Sequence, residues 1–178
     1  MALAAAPASR DNLNAASDSI PFIEKGICTL GTTMNKAGSK AAFRKVDYDY
    51  VLAFIELCIA KNAKHIAIVT AMGASSTSMF FYNQVKGDVE RDAQILCDKH
   101  NVNLSIIRPS LIMEENRDEQ RIGEKIGIVV MRIIQPLLFG PMKKYRGVTP
   151  KQIAKTLISA SKTGKSSIIE SDEVLKSA

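Results

Sequence analysis

Apolar residues along the chain follow two rhythms. Four short runs are nearly continuous: Gly26 to Leu30, His65 to Ala71, Val102 to Ile107 and Ser166 to Glu170. Runs of this length, bounded by Gly, Pro or small hydroxyl residues, predict buried strands of a parallel sheet. Between them the apolar residues recur every three or four positions. Val51, Ile55, Cys58 and Ile59 share one face of a helix predicted over about 43–61. Val85, Val89, Ala93, Leu96 and Cys97 share a face of a second, which opens near Tyr82 and stops near Asn101. A third is predicted over roughly 122–138, interrupted or ended near Pro136. Thr149, Pro150 and Gln152 read as the N-cap, first-turn proline and capping box of a fourth, running to about Ser161, with Gly164 ending the connection.

The remaining stretches read as connections. Residues 1–20 show no sustained period, so an irregular segment is expected over 1–25 and the folded part over 26–178. Met34 to Lys40, around Gly38, and Met72 to Met79 are predicted to be polar loops, and Glu114 to Gln120 an exposed charged one. Strand and helix alternate, which predicts an α/β fold: a doubly wound parallel sheet with flanking helices. Ligands of such sheets collect at the carboxyl ends of the strands. Gly31-Thr32-Thr33, Thr70-Ala71 and Arg108-Pro109-Ser110 lie at such ends.

Composition narrows this picture little. The 178 residues suffice for one domain with a real core, and 46% hydrophobic with 24% charged residues is ordinary for a globular protein. A net charge of +6 would suit an anionic cofactor, nucleic acid or an anionic membrane surface. The one dense basic cluster is Lys143-Lys144-Tyr145-Arg146, and the other basic residues are scattered among acids. The excess therefore reads as a solvated surface, and no nucleic acid is expected as a partner. Ile126 to Phe139 is the longest apolar stretch, but Arg132, Gln135 and Pro136 break it below the ~20 residues of a bilayer span. No transmembrane segment is expected. The acid-free opening MALAAAPASR resembles a weak organellar presequence, but Asp11 and Asp18 follow soon, and an irregular tail is the expectation. Cys28, Cys58 and Cys97 each lie in an apolar run and predict buried free thiols in a reducing compartment. No Cys or His spacing suggests a metal. His65 and His100 read as structural.

Chemistry concentrates in Tyr82-Asn83-Gln84-Val85-Lys86. A tyrosine and a lysine four apart on a helix share a face. The ammonium favours the phenolate and is expected to lower the tyrosine pKa, so that the phenol can pass a proton to or from a carbonyl or alcohol oxygen. The lysine can also donate to ribose hydroxyls. The same spacing fits a tyrosine packed on an aliphatic lysine stem.

Five segments in order carry a resemblance: CTLGTT (Cys28–Thr33), KAGS (Lys36–Ser39), FRKVDYDYV (Phe43–Val51), YNQVKGDVE (Tyr82–Glu90) and IIRPSL (Ile106–Leu111). The chain resembles the extended or atypical branch of the short-chain dehydrogenase/reductase superfamily, in particular the Tat-interacting-protein oxidoreductases and their fungal mitochondrial relatives. The resemblance covers about 26–170. It implies a partial Rossmann-like sheet that begins at the family's fourth strand, with the first three strand units and their Gly-rich phosphate loop missing. It implies NADP or NAD as cofactor and a small carbonyl or alcohol as substrate. Tyr82 would be the general acid, and Lys86 would tune it and hold the nicotinamide ribose. Leu30, Gly31, Thr32 and Thr33 would line the dinucleotide. Arg108 would also bind the cofactor, and Pro109, Ser110 and Leu111 would pass the nicotinamide carboxamide. The family's catalytic serine falls at Thr70-Ala71, where Thr70 could supply the hydroxyl one place off.

The part that is not there shapes the remaining expectations. Without the family's first strand, Ile27 to Leu30 becomes an open apolar edge, which invites pairing. The chain could be a truncated product, could pair that edge with a protein partner or a second copy, or could cover it with residues 1–20. A non-catalytic regulatory or assembly protein on a truncated dehydrogenase fold is the alternative to an oxidoreductase. The cytoplasm is the expected location, with a mitochondrial surface next.

Overall fold

A computed structural model describes residues 20–113 and 145–176. Four strands, β1 (Lys25–Cys28), β2 (His65–Val69), β3 (Asn103–Arg108) and β4 (Ser167–Glu170), lie side by side in chain order, all parallel. The register sets Cys28 opposite Ile68, Ile66 opposite Leu104 and Ile106 opposite Ile168. Successive side chains of a strand point to opposite faces, so the apolar runs feed two cores at once. Cys28, Ile66, Ile68, Leu104 and Ile106 pack with Val51, Ile55 and Cys58 and with Val89, Ala93 and Cys97. Ala67 and Ile107 pack on the other face with Val148, Ile153, Leu157 and Val174. The predicted α/β architecture, with helices on both faces of a parallel sheet, is what the chain adopts.

The helices are α1 (Met34–Ala37), α2 (Lys40–Arg44), α3 (Tyr50–Ala60), α4 (Phe81–Lys99), α5 (Pro150–Thr163) and α6 (Ser171–Lys176). A π-helical turn, Lys45–Asp49, joins α2 to α3. The expected polar loop over Met34 to Lys40 is instead mostly helical, for reasons of capping. The Thr33 side chain accepts from the Lys36 N–H, and Gly38 closes α1 in the left-handed region at φ 74°. Ser39 then caps α2 by accepting from the Ala42 N–H, so the next helix starts at Lys40 rather than Phe43. The capping box at Thr149 and Gln152 forms as expected, with Gly164 as the left-handed C-cap. Asn101, at φ 55°, follows α4 directly. Helix α6 starts straight after β4 and was not expected. The helix expected over 122–138, the apolar stretch to Phe139, the loop Glu114–Gln120 and Lys143-Lys144 lie outside the described residues, as do residues 1–19. Among the described residues, no helix is long and apolar enough to cross a membrane.

Among the described residues β1 pairs with β2 alone, and Ile27, on the face away from Cys28, is 42% exposed. The open apolar edge expected from the sequence is present in this form.

The three cysteines are free and buried. Burial pushes the Cys28 thiol up to about 11, Cys58 to about 12 and Cys97 to about 11, so all three stay protonated and inert at neutral pH. His65 opens β2 fully buried, with Nε2 2.9 Å from Ser105 Oγ. Its burial, and to a lesser degree Lys25, hold its pKa below the ordinary 6.5 against a backbone hydrogen bond at Lys165. The folded chain thus keeps this ring neutral where the unfolded chain already binds a proton. Its contribution to stability is complete above about pH 6.5 and is lost as pH falls from there through the lowered folded value. Thermal midpoints measured across that window are expected to drop with acid, and His65→Leu is expected to flatten the slope. An unchanged slope in that variant would remove His65 from the account.

Candidate functional site

The site is built where the turn after β1 meets the first two turns of α4. The π-helical turn between α2 and α3 supplies its centre, Asp47, which is fully buried. Single π turns inside longer helices are frequent at functional sites, because the extra residue changes which side chains face inward. Here Phe43 and Asp47, one helical turn apart, both point in. Asp47 Oδ1 lies 2.7 Å from Lys86 Nζ, and Oδ2 accepts the Thr32 N–H at 2.8 Å. A side chain at position 31 would set its Cβ 3.3 Å from Asp47 Oδ1 and 3.7 Å from Lys86 Nζ. Gly31 therefore lets the β1 turn lie directly over the ion pair.

Tyr82 stands one turn before Lys86 on the same face of α4. Its ring packs on Phe43, with centroids 5.6 Å apart, and Lys86 Nζ is 6.0 Å from the Tyr82 ring centre. Tyr82 as a residue is 39% exposed. The pKa effect differs from the sequence expectation. Burial around the phenol, and then the nearby Asp47 carboxylate, push the Tyr82 hydroxyl above its ordinary value of 10. Burial is the larger cause, and Asp47, in contact with the ammonium that was expected to favour the phenolate, opposes it.

The loop before α4 is held close. A Cβ at position 87 would fall 2.1 Å from the Ser75 carbonyl carbon and the Ser76 nitrogen, so only glycine lets this backbone lie against the helix. Ser75 N–H also donates to Asn83 O at 3.0 Å. The Ser75 and Thr77 hydroxyls are 3.0 Å apart.

Thr70 and Arg108 meet elsewhere, around Glu90. The Thr70 hydroxyl is buried and donates to Glu90 Oε1 at 2.5 Å. Arg108 donates from Nε to both Glu90 oxygens at 3.1 and 3.2 Å, from Nη2 to Oε2 at 2.6 Å, and from Nη1 to Glu170 at 3.0 Å. This network ties the ends of β2, β3 and β4 to the third turn of α4. The Thr70 hydroxyl, turned into it, faces Glu90 rather than Tyr82. Pro109, Ser110 and Leu111 form a loop bonded to the segment before α5: Ser110 donates to Arg146 O, and Val148 N–H to Leu111 O at 2.9 Å. Ser171 Oγ donates to Ser110 Oγ at 2.9 Å. Leu111 is 44% exposed.

The structure thus gathers Gly31, Thr32, Tyr82 and Lys86, and sets Thr70 and Arg108 in a separate network. Asp47 and Glu90 were missed by the sequence reading, and both had a signal. Asp47 continues the inward stripe of Val51 and Ile55 one turn upstream. Glu90 extends the spacing of Tyr82 and Lys86 by four more residues. An acid on an otherwise buried stripe calls for a partner. Among the described residues, no group of His, Cys, Asp and Glu could hold a metal ion.

Comparison with known proteins bears on the fold. Protein HTATIP2 of Rattus norvegicus is 43% identical over 99 residues, 56% of this chain and 39% of that protein. Protein FMP52, mitochondrial, of Eremothecium gossypii is 30% identical over 149 residues, 82% of this chain and 65% of its own length. The chain therefore spans less than two thirds of these relatives. Among solved structures, a UDP-N-acetylglucosamine 4-epimerase from Bacillus cereus superposes with a TM-score of 0.63 at 16% identity, covering 88% of this chain and 60% of the other. An enoyl-acyl carrier protein reductase of Bacillus cereus, solved with NADP+, gives 0.60 at 12% identity, covering 94% and 72%. These likenesses show a Rossmann-like α/β fold. A model of the family described as HIM1 matches residues 6–135. The chain belongs to the HIM1 family and carries an atypical short-chain dehydrogenase-like fold.

Proposed function

We propose that this chain forms the proton-transfer side of an NAD(P)-dependent oxidoreductase acting on a small carbonyl or alcohol. The observation that carries the reading is the convergence of Tyr82, Lys86 and the Gly31-Thr32 turn on one spot at the strand ends. Tyr82 is the proton donor to the substrate oxygen. Lys86, held by Asp47, has further N–H donors for the ribose hydroxyls of a nicotinamide nucleotide. The residues fit that half of the group: Gly31 brings the turn after β1 against the ion pair, and Leu30 to Thr33 supply backbone beside it. When bound, a nicotinamide supplies or accepts the hydride. Pro109 to Leu111, the loop after β3, is the proposed stop for the carboxamide, with Leu111 exposed toward solvent.

A second reading rests on a separate observation. With one neighbour for β1 among the described residues and Ile27 exposed, the sheet can accept a strand from a protein partner or a second copy. In that reading the chain is a non-catalytic regulatory or assembly protein. The names of the FMP52 relatives support a mitochondrial location for either reading, with the cytoplasm as the other place to look.

Calorimetric titration of the purified chain with NADPH and NADH separates the two. Micromolar binding of either, weakened by Lys86→Met, is the expected result. No heat up to millimolar nucleotide would defeat the catalytic reading for the chain alone and leave the scaffold.

A further inference from the structure

Met79 is 99% exposed and Phe80 75%, side by side at the end of the loop between β2 and α4. Single exposed apolar residues are ordinary on a folded surface. Ile95 on α4, with Asp92 and Asp98 about one turn to either side, is one of these. Met79 and Phe80 differ, because the loop that carries them is pinned. The Ser75–Ser76 backbone lies against Gly87, where a Cβ would fall 2.1 Å away, and Ser75 N–H donates to Asn83 O at 3.0 Å. Ser78 N–H then donates to Ser75 O at 3.0 Å, and Phe80 N–H to Ser78 Oγ at 3.1 Å. The outward pose of the pair is built into the turn.

The charge around the pair has one sign. Residues 29–46 contain Lys36, Lys40, Arg44 and Lys45 and no acid, and residues 70–87 contain Lys86 and no acid. The acids that border these stretches are taken, Asp47 by Lys86 at 2.7 Å and Asp88 by Arg44 at 2.9 Å. Lys40 Nζ sits 5.2 Å from the ring centre of Phe81, the neighbour of Phe80. That contact sets the start of α2, and α1 leading into it, beside the apolar tip. Lys36 and Lys40 are exposed, as is Met34 at 37%.

We propose that Met79 and Phe80, with Lys36 and Lys40, form a docking surface for an anionic lipid bilayer. The two apolar side chains enter the boundary between headgroups and acyl chains, and the two ammonium groups meet the anionic headgroups. The proposal does not depend on the oxidoreductase reading. A side chain exposed nearly in full lies in no pocket of its own chain and projects from the surface. A fluid apolar phase accepts such a projection without a matching hole, whereas an acidic protein would have to present a pocket for it. Shape therefore favours the bilayer. Stable peripheral binding takes two signals, and here apolar insertion supplies one and charge the other.

The chain has no tryptophan, so Phe80→Trp places a single fluorophore at the tip. With phosphatidylcholine vesicles containing phosphatidylserine, the full chain is expected to float with the vesicles and this emission to shift to the blue. Lys36→Gln/Lys40→Gln is expected to weaken that binding about 25-fold, at roughly fivefold for each lysine near an anionic surface. Met79→Ser/Phe80→Ser is expected to weaken it about tenfold or more. Lys61→Gln/Lys99→Gln removes the same charge from the opposite ends of α3 and α4, and is expected to bind like the parent. The four substituted tip and rim positions are exposed, so these variants should keep the parent's thermal midpoint. The proposal is overturned by a parent that does not float with anionic vesicles, by equal losses in the two lysine pairs, by binding that Met79→Ser/Phe80→Ser leaves unchanged, or by flotation of Phe80→Trp without a blue shift. Preference for polyglutamate over the vesicles would also overturn it, and would assign the surface to an acidic protein.

Discussion

Tyr82→Phe is expected to lower carbonyl turnover by about 10²–10⁴-fold, the range that a positioned proton donor contributes. The substitution removes one oxygen and keeps the ring that packs on Phe43, so unfolding free energy should change by no more than about 0.5 kcal/mol, as for surface positions. Nucleotide affinity should be retained, because the proposed ribose donors sit on Lys86. The measurement is initial rates with a reduced nicotinamide nucleotide and a small aldehyde, beside a calorimetric titration of the same variant. A rate loss with affinity kept separates proton transfer from binding. Equal rates in the two chains would mean that Tyr82 is not the donor, and that reading of the site would fall.

The distribution of what the sequence did and did not disclose follows from the range of each interaction. The two central strands were legible because a strand buried on both faces needs a nearly unbroken apolar run, as in Ile66 to Val69 and in Leu104 to Ile107, which only Ser105 interrupts. The capping box at Thr149 was legible because its partners are three residues apart. Helix α1 was not read, although Thr33 and Gly38 mark both its ends, since four residues carry no apolar period. The π turn left no trace either: its cause is one shifted hydrogen bond. At the site, Tyr82 and Lys86 were visible as local spacing on one helix. Asp47, whose partners lie 15 and 39 positions away at Thr32 and Lys86, became visible only when the fold brought them together. So did the network joining Thr70, Arg108 and Glu170 to Glu90. The expected pKa of Tyr82 had the wrong direction because its two causes, burial first and the Asp47 carboxylate second, arise only in the fold, while the sequence displayed the cation alone.

That anion carries the other large effect. Asp47→Ala is expected to destabilise the fold by about 3–5 kcal/mol, because it leaves the Lys86 ammonium buried with no countercharge. The cost arises from breaking the pair, not from what the pair contributes as a unit. Asp47→Leu/Lys86→Met, which replaces both ions by apolar groups of similar volume, should therefore recover most of that loss, and in comparable cases such replacement is neutral or gains about 1–4 kcal/mol. Urea unfolding of the parent, Asp47→Leu, Lys86→Met and the double variant gives the coupling energy directly. A double variant as unstable as Asp47→Ala would mean that Asp47 holds the turn after β1 through the Thr32 N–H rather than through Lys86. A stable double variant without turnover would locate the purpose of the pair in chemistry: a buried charge kept at some expense to the fold because the phenol beside it needs that environment.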